Sequence, residues 1–243
     1  MPDYRFLLAG DTAVVVELGN RIDLKLSAQV LSLARRVAEL KIDGVIETVP
    51  TIRSLIIYYE PLRVSCTGLQ EWIVEAIETL DRLEPAGRKW RLPVCYDPAV
   101  APDLRYVARQ TGLSRAQVVE RHCGLTYHVY MLGFLPGLAY MGDVPEELVV
   151  PRLQTPRLKI PAGSLGIAMA MSVIMPRATA SGLNLIGRSP VAMWQPDDGA
   201  LLKPGDQVIY QPISLREYDD LAIRAEAGNL KIEPVTGQSE IAA

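Results

Sequence analysis

The chain changes texture near residue 133, and that change limits the architectures open to it. Before it, apolar residues recur with helical or alternating spacing. After it, glycine and proline become dense and the apolar runs shrink to a few residues, at 158–160, 165–170, 183–187, 191–194 and 207–211. Many short strands broken by turn residues suit a closed, irregular β-barrel better than an open sheet.

The first third reads as a compact α+β unit. Residues 4–9 and 12–18 are β-rich runs parted by the turn signal Gly10-Asp11. Across residues 23–41, Leu26, Val30, Leu33, Val37 and Leu40 form the stripe of an amphipathic helix. Strands are expected at 45–49 and 54–59. A second helix is expected from Thr67, which has capping-box spacing to Gln70. Leu69, Ile73, Ile77, Leu80 and Leu83 supply its apolar face, and Pro85-Ala86-Gly87 ends it. The order β-β-α-β-β-α implies a small sheet with helices on one face.

The middle of the chain restarts with a strand at 88–96. Short helices follow near 103–111, stopped by Gly112, and from Ser114 to about His122, with Ser114 and Gln117 spaced as a capping box. A strand is expected at 126–132. The last helix, 214–227, has the same spacing at Ser214 and Glu217 and a glycine, Gly228, at its C-terminal end. The fold class is therefore α+β: an N-terminal α+β sheet domain over 1–87, a β-barrel over 88–213, and a C-terminal helix and tail over 214–243.

Composition excludes some functions. With 49% apolar and 22% charged residues, the chain has the balance of a soluble globular protein. A net charge of −3 nominates neither nucleic acid nor an anionic membrane. Asp3, Arg5 and Asp11 interrupt any secretory apolar core, and no apolar run is long enough to span a bilayer. A cytoplasmic protein is expected. Cys66, Cys95 and Cys123 are far apart and form no C-x-x-C, and His122 and His128 are the two histidines, too few for a zinc set. Small buried thiols are the plain reading, including Cys123 beside His122.

Catalytic signatures are missing. There is no phosphate loop and no G-x-G-x-x-G after a strand. Ser164 lies in Ala-Gly-Ser-Leu-Gly, which lacks the spacing of a nucleophile elbow. His122 at a helix end reads as a cap or a surface group, and His128 falls within an alternating strand.

One local feature stands out. From Leu148 to Pro196 there is no Asp or Glu, although at the frequency of 28 acids in 243 residues about five or six are expected. The stretch does hold Arg152, Arg157, Lys159, Arg177 and Arg188. Cations without local counter-charge on a Gly/Pro-rich scaffold point to an anion site for carboxylate, phosphate or carbonate. The alternative is a set of solvated arginines, or pairs with carboxylates from elsewhere in the chain. Arginine suits a carboxylate or phosphate better than lysine, because its fork is planar and bidentate.

The stretch Tyr127–Gly142, YHVYMLGFLPGLAYMG, resembles a signature of the family that joins the B-subunit of 5-oxoprolinase to allophanate hydrolase subunit 1 and the kinase inhibitor KipI. That family is related to one half of the urea carboxylase carboxyltransferase domain. The same order continues in Pro151-Arg152, Thr155-Pro156-Arg157, Pro161-Ala162-Gly163-Ser164, Leu185-Ile186-Gly187-Arg188 and Pro204-Gly205-Asp206, with His122 upstream. The resemblance implies that the barrel is cyclophilin-like. It implies one component of an ATP-dependent amide or lactam hydrolase that opens 5-oxo-L-proline to L-glutamate. The implied partners are a homologue of the 5-oxoprolinase C-subunit, itself like a biotin-dependent carboxylase, and a lactam-utilisation subunit. ATP would bind at a site shared between chains. His122, Arg157 and Arg188 are the implied catalytic residues, and Arg152, Lys159, Tyr140 and Ser164 the substrate- or anion-binding ones. A KipI-like kinase inhibitor and a carboxyltransferase half are the alternative roles.

The chain departs from that family in one place. Where members carry Gly-Gly-x-Gln-Thr-Gly-x-Tyr-Pro, this chain has 168–176, AMAMSVIMP, with Met171 at the Gln position and Met175 at the Tyr position. A later Pro-Gly-Gly-Trp has become Ala180-Ser181-Gly182-Leu183. Glycines that admit a ligand to the backbone are lost. Residues 169–175 are expected to present a soft apolar face instead, open to a different acyl substrate or to a docking partner.

Overall fold

The computed structural model describes residues 4–80 and 87–235. The chain divides into two compact units, 1–86 and 87–243.

In the first unit, strands β1 (Arg5–Leu8), β2 (Ala13–Glu17), β3 (Val45–Pro50) and β4 (Ser54–Tyr59) form an antiparallel sheet in the order β1-β2-β4-β3. Helix α1 (Leu24–Leu40) buries Val30, Leu33 and Val37, the stripe expected from the spacing. Asp23 caps it by accepting from the Lys25 and Leu26 amides. Helix α2 (Cys66–Glu78) buries Leu69, Ile73 and Ile77. Val14, Val16, Leu55 and Ile57 from the sheet complete this core. Burying side chains of this size stabilises by roughly 1.5–3 kcal/mol each.

One expected boundary moves. Helix α2 starts at Cys66 rather than Thr67, because Ser65 is its cap and its hydroxyl accepts from the Gly68 amide at 3.1 Å. Gln70 reaches the Cys66 sulfur rather than closing a box with Thr67. The expected stop at Pro85-Ala86, and Leu83, lie outside the described residues; the helix itself ends at Glu78.

The second unit is built on a closed barrel. Its strands are β5 (Lys89–Cys95), β6 (Thr126–Leu132), β7 (Ala139–Gly142), β9 (Ser164–Ala168), β10 (Met171–Ile174), β12 (Asn184–Arg188) and β15 (Gln207–Ile213), in the circular order β10-β7-β6-β15-β5-β12-β9. All neighbours are antiparallel except β15 and β5, which run parallel from Gln207 against Lys89 to Ile213 against Cys95. Closure leaves no edge strand in the barrel. The interior is filled by Leu92, Val94, Tyr127, Val129, Met141, Leu165, Ile167, Ile186, Val208 and Tyr210.

Two short ribbons flank the barrel: β8 (Arg157–Ile160) with β11 (Thr179–Ser181), and β13 (Trp194–Gln195) with β14 (Gly199–Ala200). Ile160 joins Leu135, Leu138, Met175, Leu183 and Leu185 in a separate apolar cluster, with Tyr140 packed against it. Helices α3 (Leu104–Thr111) and α4 (Arg115–Cys123) join the barrel core through Val107 and Val118. The capping boxes expected at Ser114/Gln117 and Ser214/Glu217 both form. Helix α5 (Leu215–Glu226) is capped at Ala227, and Gly228 follows with φ +71°.

Residues 191–193 lie outside any strand, and β7, β10, β11 and β14 were not expected. The expected strand 165–170 ends at Ala168, because Met169 turns with φ +51°. The tight turn Met169-Ala170 joins β9 to β10, with Ala168 opposite Met171. The anticipated apolar face over 169–175 does not exist as a surface. Ser172, Val173, Ile174 and Met175 are buried; Met169 is exposed and Met171 half-buried.

Asp206 ties the start of β5 to the loop before β15. Its carboxylate accepts from the Arg88 amide and guanidinium, the Trp90 indole at 2.9 Å and the Lys203 amide. A buried carboxylate satisfied on both oxygens is stable where an unpaired one is not. This gives the Pro204-Gly205-Asp206 motif a structural role.

Candidate functional site

Helix α4 carries His122 into the barrel, where it has no exposed surface. The cap or surface role read from its position at a helix end is therefore corrected. Its ring stacks on Tyr210 of β15 with centroids 4.7 Å apart and tilts against Tyr127 of β6 at 5.2 Å. Nδ1 lies 2.9 Å from the Tyr96 hydroxyl and Nε2 lies 3.3 Å from Ser172 Oγ on β10. Burial holds its pKa down to about 3, so the imidazole is neutral at physiological pH.

The protons in this cluster are ordered by its last member. Met141 Sδ is an acceptor with no hydrogen to give, so the Tyr210 hydroxyl donates to it at 3.3 Å. Tyr210 has then used its proton, so Ser172 donates to Tyr210 at 3.1 Å. Ser172 in turn must accept from His122 Nε2–H. Nδ1 is left as the acceptor of the Tyr96 proton, and the Cys123 thiol donates to Tyr96 at 3.4 Å. The array runs one way, from Cys123 to Met141, and holds His122 as the Nε2–H tautomer. Burial raises the Tyr96, Tyr127, Tyr210 and Cys123 pKa values above their ordinary ranges, so every member stays neutral. His122 thus touches its neighbours and not solvent.

Arg157 has a counter-charge, supplied from 54 residues upstream. Its Nη2 donates to Asp103 Oδ1 at 2.6 Å, while Asp103 Oδ2 accepts from the Leu185 amide at 2.7 Å. Asp103 stands at the N-cap of α3 yet makes no side-chain cap bond. Its carboxylate joins β8 to β12 instead. Among the described residues, Arg157 Nη1 and Asn184 Oδ1 are buried with no hydrogen-bond partner.

Arg188 ends β12 and is held on two sides. Its Nε donates to the Ala162 carbonyl at 2.9 Å, and its Cζ sits 5.8 Å from the ring centroid of Tyr218 on α5. Among the described residues its two terminal nitrogens have no hydrogen-bond partner. The turn that supplies the Ala162 carbonyl is tightly fixed. The Ser164 hydroxyl donates to the Pro161 carbonyl at 2.8 Å, and the Ser189 amide donates to the Gly163 carbonyl at 2.8 Å. Gly163 has φ +76°, and a Cβ there would lie 2.2 Å from the Ser189 carbonyl oxygen. That backbone conformation and that contact both require glycine.

The remaining expected residues do not converge. Arg152 and Lys159 are exposed, Tyr140 is half-buried on the outer apolar cluster, and Ser164 is buried with its hydroxyl committed to the turn. Of the seven, Arg188 and Ser164 are brought together, as cross-strand partners of β12 and β9. Two shallow concavities of about 560 and 420 Å³ lie on the first unit, the larger lined by Ile46, Glu47, Tyr58 and Pro61, and neither contains an expected residue. Among the described residues no three His, Cys, Asp or Glu side chains gather as metal ligands would.

Sequence reasoning missed Tyr96, Ser172, Tyr210 and Met141 around His122, Asp103 beside Arg157, and Tyr218 beside Arg188. Their partners lie from 26 to 69 residues away within the His122 cluster, with no spacing rule to link them.

Residues 4–201 match the family model described as carboxyltransferase domain, subdomain C and D. The chain is 38% identical over 214 residues to the 5-oxoprolinase B-subunit of Escherichia coli O157:H7, covering 86% of this chain and 95% of that protein. It is 33% identical over 229 residues to the Bacillus subtilis protein of the same name, covering 88% and 95%. Among solved structures, the K. lactis urea amidolyase superposes on 96% of this chain with a TM-score of 0.81. At 18% identity, and with this chain spanning 16% of that one, the likeness shows a shared fold alone. By the match to subdomains C and D and the similarity along nearly the whole of its relatives, the chain belongs to the 5-oxoprolinase B-subunit family.

Proposed function

We propose that this chain is one component of an ATP-dependent, 5-oxoprolinase-like enzyme that hydrolyses a cyclic amide, 5-oxo-L-proline, to L-glutamate. It would act in the cytoplasm with a C-subunit homologue, like a biotin-dependent carboxylase, and with a lactam-utilisation subunit. The observation that carries the reading is the 38% identity to a 5-oxoprolinase B-subunit over 95% of that protein. In this reading the barrel is a cyclophilin-like domain.

Arg188 is the group suited to hold the anion, either the substrate carboxylate or an acyl phosphate formed from ATP. Among the described residues its terminal nitrogens have no hydrogen-bond partner, while Nε donates to the Ala162 carbonyl and Cζ lies 5.8 Å from the centroid of the Tyr218 ring. Preplaced donors stabilise developing negative charge without reorganising at the moment of reaction. Arg152 and Lys159 add positive field from the surface. Arg157, bound to Asp103, and His122, sealed in the barrel, act by holding their surroundings in place. In this reading ATP binds at a site shared with a partner.

The match of residues 4–201 to carboxyltransferase subdomains C and D supports a second reading, one half of a carboxyltransferase. That role needs biotin carried by another protein.

The test is co-expression with the C-subunit and lactam-utilisation homologues. Copurification with ATP-dependent release of L-glutamate from 5-oxo-L-proline is expected. ATP-, biotin- and bicarbonate-dependent carboxylation of urea by the complex, once a biotin carrier and its biotin carboxylase are supplied, would favour the second reading. Failure to copurify, with no ATP-dependent turnover of any lactam or urea derivative, would overturn both.

A further inference from the structure

We infer that Tyr218 is a positioning residue for anion binding: its buried ring sets the plane of the Arg188 guanidinium so that both terminal nitrogens stay free for one carboxylate or phosphate. The inference rests on the reading of Arg188 as the anion-holding group. It adds α5 to the site, an element that no sequence motif had linked to the barrel turns.

The geometry has three parts. Tyr218 is 8% exposed, and it is the buried residue of α5. Its ring lies under Arg188 Cζ at 5.8 Å, within the range where a guanidinium is attracted to an aromatic face. The Ala162 carbonyl takes Arg188 Nε at 2.9 Å. One hydrogen bond fixes a point on a guanidinium but leaves it free to swing about that point. A ring face removes the swing. The helix cannot drift from this position easily, because α5 follows directly on β15, whose Ile213 pairs with Cys95, and Cys95 pairs with Arg188. The electrostatics agree. Burial raises the Tyr218 phenol pKa, and the Arg188 charge beside it pulls the other way.

A second cation over a ring in the same unit shows what is distinctive here. Arg88 lies 4.7 Å from the Trp90 centroid, but its Nε and Nη2 are taken by Asp206 and its Nη2 also reaches the Leu201 carbonyl. That arginine is occupied by the fold. Arg188 receives a ring and a single carbonyl, and no carboxylate among the described residues. An arginine held in plane and denied a counter-ion is prepared for an external anion. Less side-chain entropy is then lost on binding, which is where preorganisation adds affinity.

The experiment is phenylglyoxal labelling of the full chain, mapped to Arg188 by peptide mass spectrometry, over a titration of inorganic phosphate. Phenylglyoxal needs both terminal nitrogens, so a bound anion protects them. In the native chain phosphate should slow modification of Arg188. In Tyr218→Phe the protection should be retained, because the ring remains. In Tyr218→Leu and Tyr218→Met, half-protection should need about tenfold more phosphate, the order expected for loss of a cation–π contact. Two aliphatic variants of different shape guard against one that fails to fold, and unchanged thermal midpoints separate positioning from general destabilisation. Equal protection of the native chain and a folded aliphatic variant would overturn the role of Tyr218 while sparing that of Arg188. No protection in the native chain would overturn the anion reading of Arg188, and this inference with it.

Discussion

The Tyr210 hydroxyl donates to Met141 Sδ at 3.3 Å, and this one bond fixes the direction of every proton back to Cys123. A thioether cannot reciprocate. A glutamine at the same place would accept and donate, and the array would have two directions. The consequence falls on His122, which is held neutral with its proton on Nε2.

The first prediction concerns pH. The folded pKa of His122 is about 3, below its unfolded value near 6.5. Between those values the unfolded chain binds a proton that the folded chain does not. Stability is therefore complete above about pH 6.5 and falls as pH drops toward 3, by at most ~1.4 kcal/mol per pH unit from this group. Urea denaturation between pH 4 and 7 should show that slope, and His122→Phe should flatten it. The same substitution leaves the Tyr96 hydroxyl without its acceptor, at a cost of about 1–3 kcal/mol at neutral pH. Nitrogen NMR of the native protein should show a neutral Nε2–H imidazole at pH 6; a charged ring there contradicts the burial argument.

A second prediction follows from Asp103, which serves Arg157 and the Leu185 amide together. Asp103→Ala leaves a guanidinium and a backbone amide unpaired. Breaking a fully buried pair costs about 3–5 kcal/mol. The Arg157 side chain is 35% exposed, so solvent screening lowers the expected loss to about 2–3 kcal/mol. Denaturant midpoints measure it. A loss under about 0.5 kcal/mol would mean that the ion pair does not hold β8 to the barrel.

How much of this was legible beforehand depended on the range of the interaction. Helix α1 and the boxes at Ser114/Gln117 and Ser214/Glu217 are local, and spacing alone found them. The barrel was legible as a texture, but β7, β10 and β11 were not, because strands of three or four residues carry too little alternation to register. The stretch around Met169 misled for a related reason. In composition it is a methionine-rich patch, yet β10 turns most of it inward, and only a tight turn keeps Met169 out. Among the cations, the absence of nearby acids suggested five similar groups. Tertiary contacts then sorted them: Arg157 found Asp103, Arg188 found a carbonyl and a ring, and Arg152, Lys159 and Arg177 stayed at the surface.

Backbone strain gives a third prediction. Phe134 has φ +67°, the residue is 73% exposed, and the Leu135 amide donates to the Gly133 carbonyl across it. A left-handed backbone costs a non-glycine residue about 1–2 kcal/mol. Glycine removes that cost but adds unfolded-state entropy of about 0.5–1 kcal/mol. Phe134→Gly should therefore be neutral to stabilising in the isolated chain by up to about 1 kcal/mol, read from the thermal midpoint. A clear loss of stability would show that the ring contributes contacts to the fold itself.

The most direct measurement is kcat/KM for 5-oxo-L-proline in the co-expressed complex with Arg188 replaced by Gln. Loss of a preplaced donor to developing charge should lower it about 100-fold, with complex assembly and thermal midpoint unchanged. An assembled Arg188→Gln complex that turns over at the native rate would contradict the assignment of Arg188 as the group that holds the anion.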